Sequence, residues 1–213
     1  MLDTGFLFRT ADRGRVQDYF RTINVEQGGH FSADEPAQRP LLDALAEFVN
    51  YAIPTPVAPS SDATHAIRKQ ALSALRARGE SVFERVGCGT CHSGPAKTDS
   101  GTGNPDLDLG GTIVASSEPG GVLLHDVGTC NTSAAAPDVE HTDIMGHARA
   151  ACAFDTPQLR GLFDSAPYLH DGSAATLAEV LPSMLRAAAP AGEPVPVLSS
   201  EDERALVEYL RSL

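Results

Sequence analysis

The spacing of apolar residues in this chain predicts an all-α fold. Three stretches carry the argument: Leu41, Leu42, Leu45, Phe48 and Val49 recur at helical intervals, as do Ile67, Leu72, Leu75, Val82 and Phe83, and then Ala205, Leu206, Tyr209, Leu210 and Leu213. Proline-rich or small-residue segments separate them and favour neither a long helix nor a long strand.

Taken in order, the first helix stops before Pro54, because the residue preceding a proline is pushed out of the helical region. Residues 53–62 hold Pro54, Pro56, Pro59, Ser60 and Ser61 and form a linker. Residues 1–61 are therefore expected to be a partial helical segment ending in this linker, and residues 62–213 a separate domain. The second helix begins near Asp62 and runs toward Cys88. Gly79 marks a contact point for a crossing helix, expected to be the one that carries Leu206, with Phe83 and Tyr209 near the contact. From Ser93 to about Cys152 the residues are small and polar. There, Gly110-Gly111 and Gly120-Gly121 bracket β-compatible Thr112-Ile113-Val114 and Val122-Leu123-Leu124, an irregular insertion with room for a short hairpin. Thr176-Leu177-Ala178-Glu179 has capping-box form and opens a helix that Pro182 should end or kink. Ser200-Glu201-Asp202-Glu203 has the same form and opens the last helix.

One internal similarity bears on the N-terminal segment. Asp43-Ala44-Leu45-Ala46-Glu47-Phe48-Val49 matches Arg204-Ala205-Leu206-Val207-Glu208-Tyr209-Leu210 at Ala, Leu and Glu, with an aromatic and a branched apolar residue in the last two places. Read as a repeat, the first fifty residues are the tail of a preceding domain built like the second. The competing account is chance agreement between two amphipathic helix faces.

The chemistry lies in Cys88-Gly89-Thr90-Cys91-His92. This is the C-x-x-C-H pattern of covalent haem attachment: two thiols add across the haem vinyl groups, and the following imidazole reaches the iron. A redox dithiol or half of a zinc site also uses C-x-x-C. The first needs a βαβ context, and the second needs another ligand pair at metal spacing; neither is found in the sequence. Cys130 and Cys152 remain; in an oxidising compartment they form a disulfide, the alternative being two buried thiols.

Composition narrows the partners. With 213 residues the chain can bury a core in one or two domains, and a formal net charge of -12 excludes a phosphate backbone as partner. A neutral or basic redox protein stays open. No apolar stretch is long enough to span a bilayer, and Met1-Leu2-Asp3-Thr4 lacks the basic and apolar regions of an export signal. Covalent haem is attached outside the cytoplasm, so the chain is expected to be a processed or truncated piece of an exported, periplasmic protein.

A longer signature follows the insertion: Phe154-Asp155-Thr156-Pro157-Gln158-Leu159-Arg160, then Ala166-Pro167-Tyr168-Leu169-His170-Asp171-Gly172-Ser173, then Ala175-Thr176-Leu177. From Gly79 onward the chain resembles the C-terminal haem domain of the bacterial di-haem cytochrome c peroxidase family. The resemblance implies a cytochrome c-like helical haem domain with an irregular insertion, binding one covalent haem c. It implies Cys88 and Cys91 as anchors, His92 and Met184 as iron ligands, Arg160 near the haem propionates and His170 beside the haem. Outside the resemblance, Met184 reads as a core-filling helix residue and Arg160 as a solvated surface residue. His125, His141 and His147, in the insertion, are expected to be exposed.

His/Met ligation raises the reduction potential and leaves no open coordination site, so the implied role is single-electron transfer. The alternative is the electron-delivery half of a di-haem peroxidase or related haem oxidase, the second haem being on an upstream domain or another chain. With one C-x-x-C-H and no Trp, peroxide turnover by this chain alone is not expected.

Overall fold

The structure is a computed structural model and describes residues 23–24, 27–30, 36–54, 66–95, 97–99, 123–135, 137–142 and 148–213. Four α-helices carry most of the regular structure among these residues: α1 (Arg39–Glu47), α2 (Ala66–Arg85), α3 (Leu177–Ala188) and α4 (Ser200–Leu210). Four strands of two residues each are added to them. The chain divides into two compact units. One comprises Met1–Thr55, Asp99–His125 and Val139–Pro157; the other comprises Pro56–Thr98, Asp126–Asp138 and Gln158–Leu213.

In the first unit, α1 has a proline in its first turn, where the missing N–H breaks no helical bond. It passes into a single π-helical turn, Phe48–Ala52, and Ile53 is extended, as its position before Pro54 requires. The apolar stripe read from the sequence as one face is split. Leu42 and Ala46 are buried, whereas Leu41, Leu45 and Phe48 are 58%, 40% and 57% exposed. The strands form two antiparallel pairs: β1 (Leu124–His125) with β4 (Phe154–Asp155), and β2 (His141–Thr142) with β3 (Ala148–Arg149). Leu124 thus pairs with Asp155, so its segment closes onto the end of the insertion; Thr112-Ile113-Val114 lies outside the described residues, as does Asp62.

The second unit is built on the crossing of α2 and α4, which places Val82, Phe83, Leu206 and Tyr209 in one core. Gly79 is the reason the two backbones can meet. A Cβ there would lie 2.6 Å from Tyr209 Cβ and collide with the Ala205 carbonyl. Phe83 and Tyr209 meet edge to face with ring centroids 5.6 Å apart. Ion pairs rim the contact: Arg76 Nη2 to Glu208 at 2.9 Å, Arg78 Nε to Asp202 at 2.8 Å and Arg85 Nη2 to Asp202 at 3.0 Å. The crossing expected from Gly79, Leu206, Phe83 and Tyr209 is therefore present.

The caps differ in detail from the sequence reading. Thr176 Oγ1 accepts from Glu179 N at 3.3 Å, but the Glu179 carboxylate returns to the amide of Ala175 at 2.8 Å. The last helix is capped by Ser199, not Ser200: its Oγ accepts from Asp202 N at 3.1 Å. Glu201, Asp202 and Glu203 lie in the first turn, where the helix dipole favours negative charge. Pro182 does not end α3. The helix runs to Ala188 because Leu177, Leu181 and Leu185, spaced by four on both sides of the proline, are all buried. Burying such side chains contributes about 1.5–3 kcal/mol each, which offsets the roughly 3 kcal/mol that an internal proline costs.

Two outcomes follow for stability. Gly79→Ala should gain about 1 kcal/mol of helix propensity but lose more to the collision with the Ala205 carbonyl, where overpacking costs typically about 1–3 kcal/mol. A lowered melting temperature with α-helical circular dichroism retained is the expected result. The Arg78 guanidinium beside Asp202 holds its carboxyl below the ordinary range. A depressed carboxylate adds stability that is complete above its unfolded pKa of about 3.9 and lost as pH falls through its folded value. Melting temperature should accordingly fall in acid below about pH 4, and Asp202→Asn should flatten that fall.

Candidate haem site

The site sits in the second unit, where α2 ends. Gly87 takes a left-handed conformation, φ 84°, that terminates the helix, and Cys88–Thr90 forms one tight 3₁₀ turn. The Cys88 carbonyl accepts from the backbone N–H of Cys91 and, at 3.0 Å, from that of His92. One turn of chain therefore sets both thiols and the imidazole.

His92 is oriented by the backbone. Its Nδ1 lies 3.0 Å from the Lys97 carbonyl. A carbonyl only accepts, so Nδ1 carries the proton and Nε2 carries the lone pair that an iron ligand needs. The loop that supplies this carbonyl is closed by Thr98 N to Ser93 O at 2.9 Å and Lys97 N to Gly94 O at 3.2 Å. Arg160 Nη2 donates to the Pro95 carbonyl at 2.9 Å, and Lys97 Nζ lies 5.2 Å from the centre of the Phe83 ring. Arg160 is thus placed on the loop that follows the motif, as a brace for it.

The thiols are not arranged for disulfide chemistry. Burial, aided by Glu84 and Cys91, pushes the Cys88 thiol up to about 11. A redox-active dithiol needs the opposite shift, toward thiolate at neutral pH. Cys88 also packs partly buried against the α2–α4 core. Cys88 and Cys91 remain thiols, whereas Cys130 and Cys152 are disulfide-bonded, the state expected for them. Two adjacent thiols on one turn, followed by an imidazole in the Nε2-ligand tautomer, fit a covalent haem.

Helix α3 passes close to this turn: a Cβ on Gly87 would lie 3.5 Å from the Ala188 carbonyl. Met184 is one turn earlier on the same helix, half-buried, beside the Leu177, Leu181 and Leu185 stripe. The other methionines, Met1 and Met145, lie outside the described residues.

The Ala-Pro-Tyr-x-His-Asp-Gly signature is a closed loop. Tyr168 and Ala174 exchange backbone hydrogen bonds of 2.7 and 3.3 Å, and the Tyr168 hydroxyl donates to the Leu162 carbonyl at 2.6 Å. Gly172 sits at φ 71°, and Asp171 accepts from Ser173 N at 3.0 Å; the Ser173 side chain first, then this backbone N–H and His170, hold the Asp171 carboxyl below the ordinary range. His170 Nε2 lies 2.8 Å from Asp138 Oδ2, and both side chains are 6% exposed. The same Asp138 oxygen accepts from Asn131 N at 2.7 Å. Asp138 had no signal in the sequence, since it lies 32 residues from His170. In the first unit, His125 corrects the expectation of an exposed loop histidine. It is on β1, half-buried, with Nε2 2.8 Å from Asp99 Oδ2. His141, on β2, is half-buried as well, and His147 lies outside the described residues.

Comparison with known proteins finds cytochrome c-like relatives. Residues 153–189 match a family described as RoxA-like, cytochrome c-like. The chain is 29% identical over 148 residues to cytochrome-c peroxidase IdrP2 of Denitromonas iodatirespirans, covering 67% of this chain and 40% of that protein. It is 30% identical over 158 residues to cytochrome c551 peroxidase of Nitrosomonas europaea, covering 73% of this chain and 40% of that protein. It is 31% identical over 151 residues to the hydrazine synthase gamma subunit of Kuenenia stuttgartiensis, covering 67% and 42%. The chain therefore spans about 40% of the length of these relatives. A MauG-like protein associated with microbial copper homeostasis shares the fold, with a TM-score of 0.61 at 17% identity, covering 99% of this chain and 69% of that one. Motif, loop signature and relatives together assign the chain to the haem domains of the di-haem cytochrome c peroxidase family.

Proposed function

We propose that this chain is a single-electron transfer domain with one haem c, attached through Cys88 and Cys91 and ligated by His92 and Met184. The observation that carries the reading is the His92 imidazole, fixed by the Lys97 carbonyl in the tautomer that offers Nε2 to a metal, one residue after a pair of half-buried thiols. When bound, the haem supplies a reversible one-electron couple. The chain's own residues do the rest. Cys88 and Cys91 hold the macrocycle at the end of α2, the loop from Ser93 to Thr98 holds the imidazole, and Met184 supplies a thioether that favours the ferrous state. Arg160, besides bracing Pro95, has further N–H groups for a propionate. The closed signature loop keeps His170 buried on Asp138, a pairing that supports a place for it beside the haem rather than on the iron.

The domain is read as cytochrome c-like and helical over residues 62–213, with residues 1–61 the tail of a preceding haem domain. Attachment of covalent haem outside the cytoplasm supports a periplasmic location; among the described residues no helix is long and apolar enough to cross a membrane. Two of the relatives are named as peroxidases, and the chain spans about 40% of their length, which supports the second reading: the electron-delivery half of a di-haem enzyme.

Ligation by Met184 is tested by absorption and redox titration of the holoprotein. The oxidised protein should be low-spin, with the weak sulfur-to-iron band in the near infrared. Met184→Ala should abolish the band, lower the potential and open a site to exogenous ligands. High-spin iron in the parent chain would reject the carrier reading. Cys88→Ser and Cys91→Ser should each leave one thioether or none: haem held by one stays with the polypeptide on extraction into acidified acetone, and the double substitution should release all of it.

A further inference from the structure

Lys97 occupies a backbone position that its residue type does not favour. Its φ of 55° lies in the left-handed region, which glycine enters freely and a residue with a Cβ does not. The turn itself, closed by Lys97 N to Gly94 O at 3.2 Å, therefore gives no reason for a lysine. The side chain supplies one. Its ammonium stands over the ring of Phe83, 5.2 Å from the centroid, and 4.0 Å from Glu84 Oε1. The lysine side chain is 23% exposed, so it lies largely covered rather than extended into solvent. Phe83 is itself buried and meets Tyr209 edge to face at the α2–α4 crossing. The Glu84 carboxylate reaches over the C-x-x-C turn, with Oε2 3.0 Å from where a Cβ on Gly89 would stand. The residue whose carbonyl receives the His92 Nδ1–H is thus tied, through its side chain, to the last turn of α2.

We propose that Lys97 is a positioning residue for the iron-ligating imidazole, clasped by Phe83 and Glu84 so that its carbonyl stays on His92, and that the Glu84–Lys97 pair balances charge beside the haem. The two parts of the clasp have separable effects. Mechanically, the cation–π contact and the ion pair keep the carbonyl against the imidazole, and losing either opens the Nδ1–H to solvent more often. Electrostatically, the pair is neutral as built. A Glu84 carboxylate left without Lys97 favours the more positive ferric iron, whereas a Lys97 ammonium left without Glu84 favours the ferrous. A rise in a rare opening leaves the hydrogen bond formed most of the time, so the potential follows the charge. The proposal rests on reading His92 as an iron ligand. That reading fails if no haem is attached; the proposal fails on haem-loaded protein whose His92 proton ignores the substitutions.

Two quantities are measured on the haem-loaded protein: solvent exchange of the His92 Nδ1 proton, by NMR of the reduced form, and the midpoint potential. Lys97→Asn keeps a residue type that tolerates the left-handed backbone but is too short to reach Phe83 or Glu84. It should speed exchange about two- to tenfold, the range of a cation–π contact with a weak ion pair, and lower the potential. Glu84→Gln should speed exchange less and raise the potential. In the double variant the potential should return toward the parent value while exchange stays fast. Lys97→Arg, whose guanidinium can take both contacts, should retain the parent's exchange rate and potential. Unchanged exchange in Lys97→Asn would overturn the positioning role. Potentials that move in the same direction in the two single variants would overturn the charge balance. Glu84 is 61% exposed, so Glu84→Gln serves if Lys97→Asn does not fold, and unchanged exchange and potential in it would overturn the proposal.

Discussion

The backbone contact at Gly79 is the constraint on which the rest of the haem unit depends. It brings α2 onto α4 without an intervening side chain, and the approach is close enough for Val82, Phe83, Leu206 and Tyr209 to form one dry core. With α2 fixed along most of its length, its last turn can only deliver Cys88 to one place. The exposed ion pairs at the rim add little by comparison, since such pairs contribute up to about 1 kcal/mol each and buried leucines more. The apolar crossing therefore decides the geometry, and Arg76, Arg78 and Arg85 select its register.

From that anchor the motif is positioned almost entirely by backbone groups. Gly87 turns the chain, the Cys88 carbonyl gathers two N–H donors, and the Lys97 carbonyl sets the imidazole. Side chains act one step further out, Arg160 through Pro95 and Lys97 against Phe83. This arrangement explains how three reactive residues can be held rigidly in a segment whose own side chains are small. Desolvation of the half-buried Cys88 works separately, pushing its thiol up to about 11 and making it a poor nucleophile left to itself.

The sequence was most informative where a local rule and a packing rule coincide. Gly79 inside a helical pattern, with an aromatic four residues on and an apolar face at Ala205 to Leu210, is enough to specify the crossing. C-x-x-C-H specifies the site for a similar reason, since its spacing is one turn. The failures share a cause as well. The true cap at Ser199 and the candidate Ser200 are adjacent hydroxyls, which pattern alone does not separate. Pro182 obeys its local preference less than the buried leucines on both sides of it. The splitting of the α1 stripe, the His170–Asp138 pair and the partly covered His125 depend on contacts distant in sequence, and the Lys97 carbonyl leaves no side-chain signal at all.

Family membership fixes less than it suggests about chemistry, because relatives of similar identity are named for peroxidase activity and for a hydrazine synthase subunit. What they share with this chain is the haem domain, so covalent haem at Cys88, Cys91 and His92 is the central claim. Intact mass spectrometry of denatured protein, produced with export and haem-ligation machinery, tests it most directly. A mass equal to the polypeptide plus one haem, localised by proteolysis to the peptide spanning Cys88 to His92, is the predicted result. A denatured mass equal to the polypeptide alone, with both thiols open to alkylation, would contradict it.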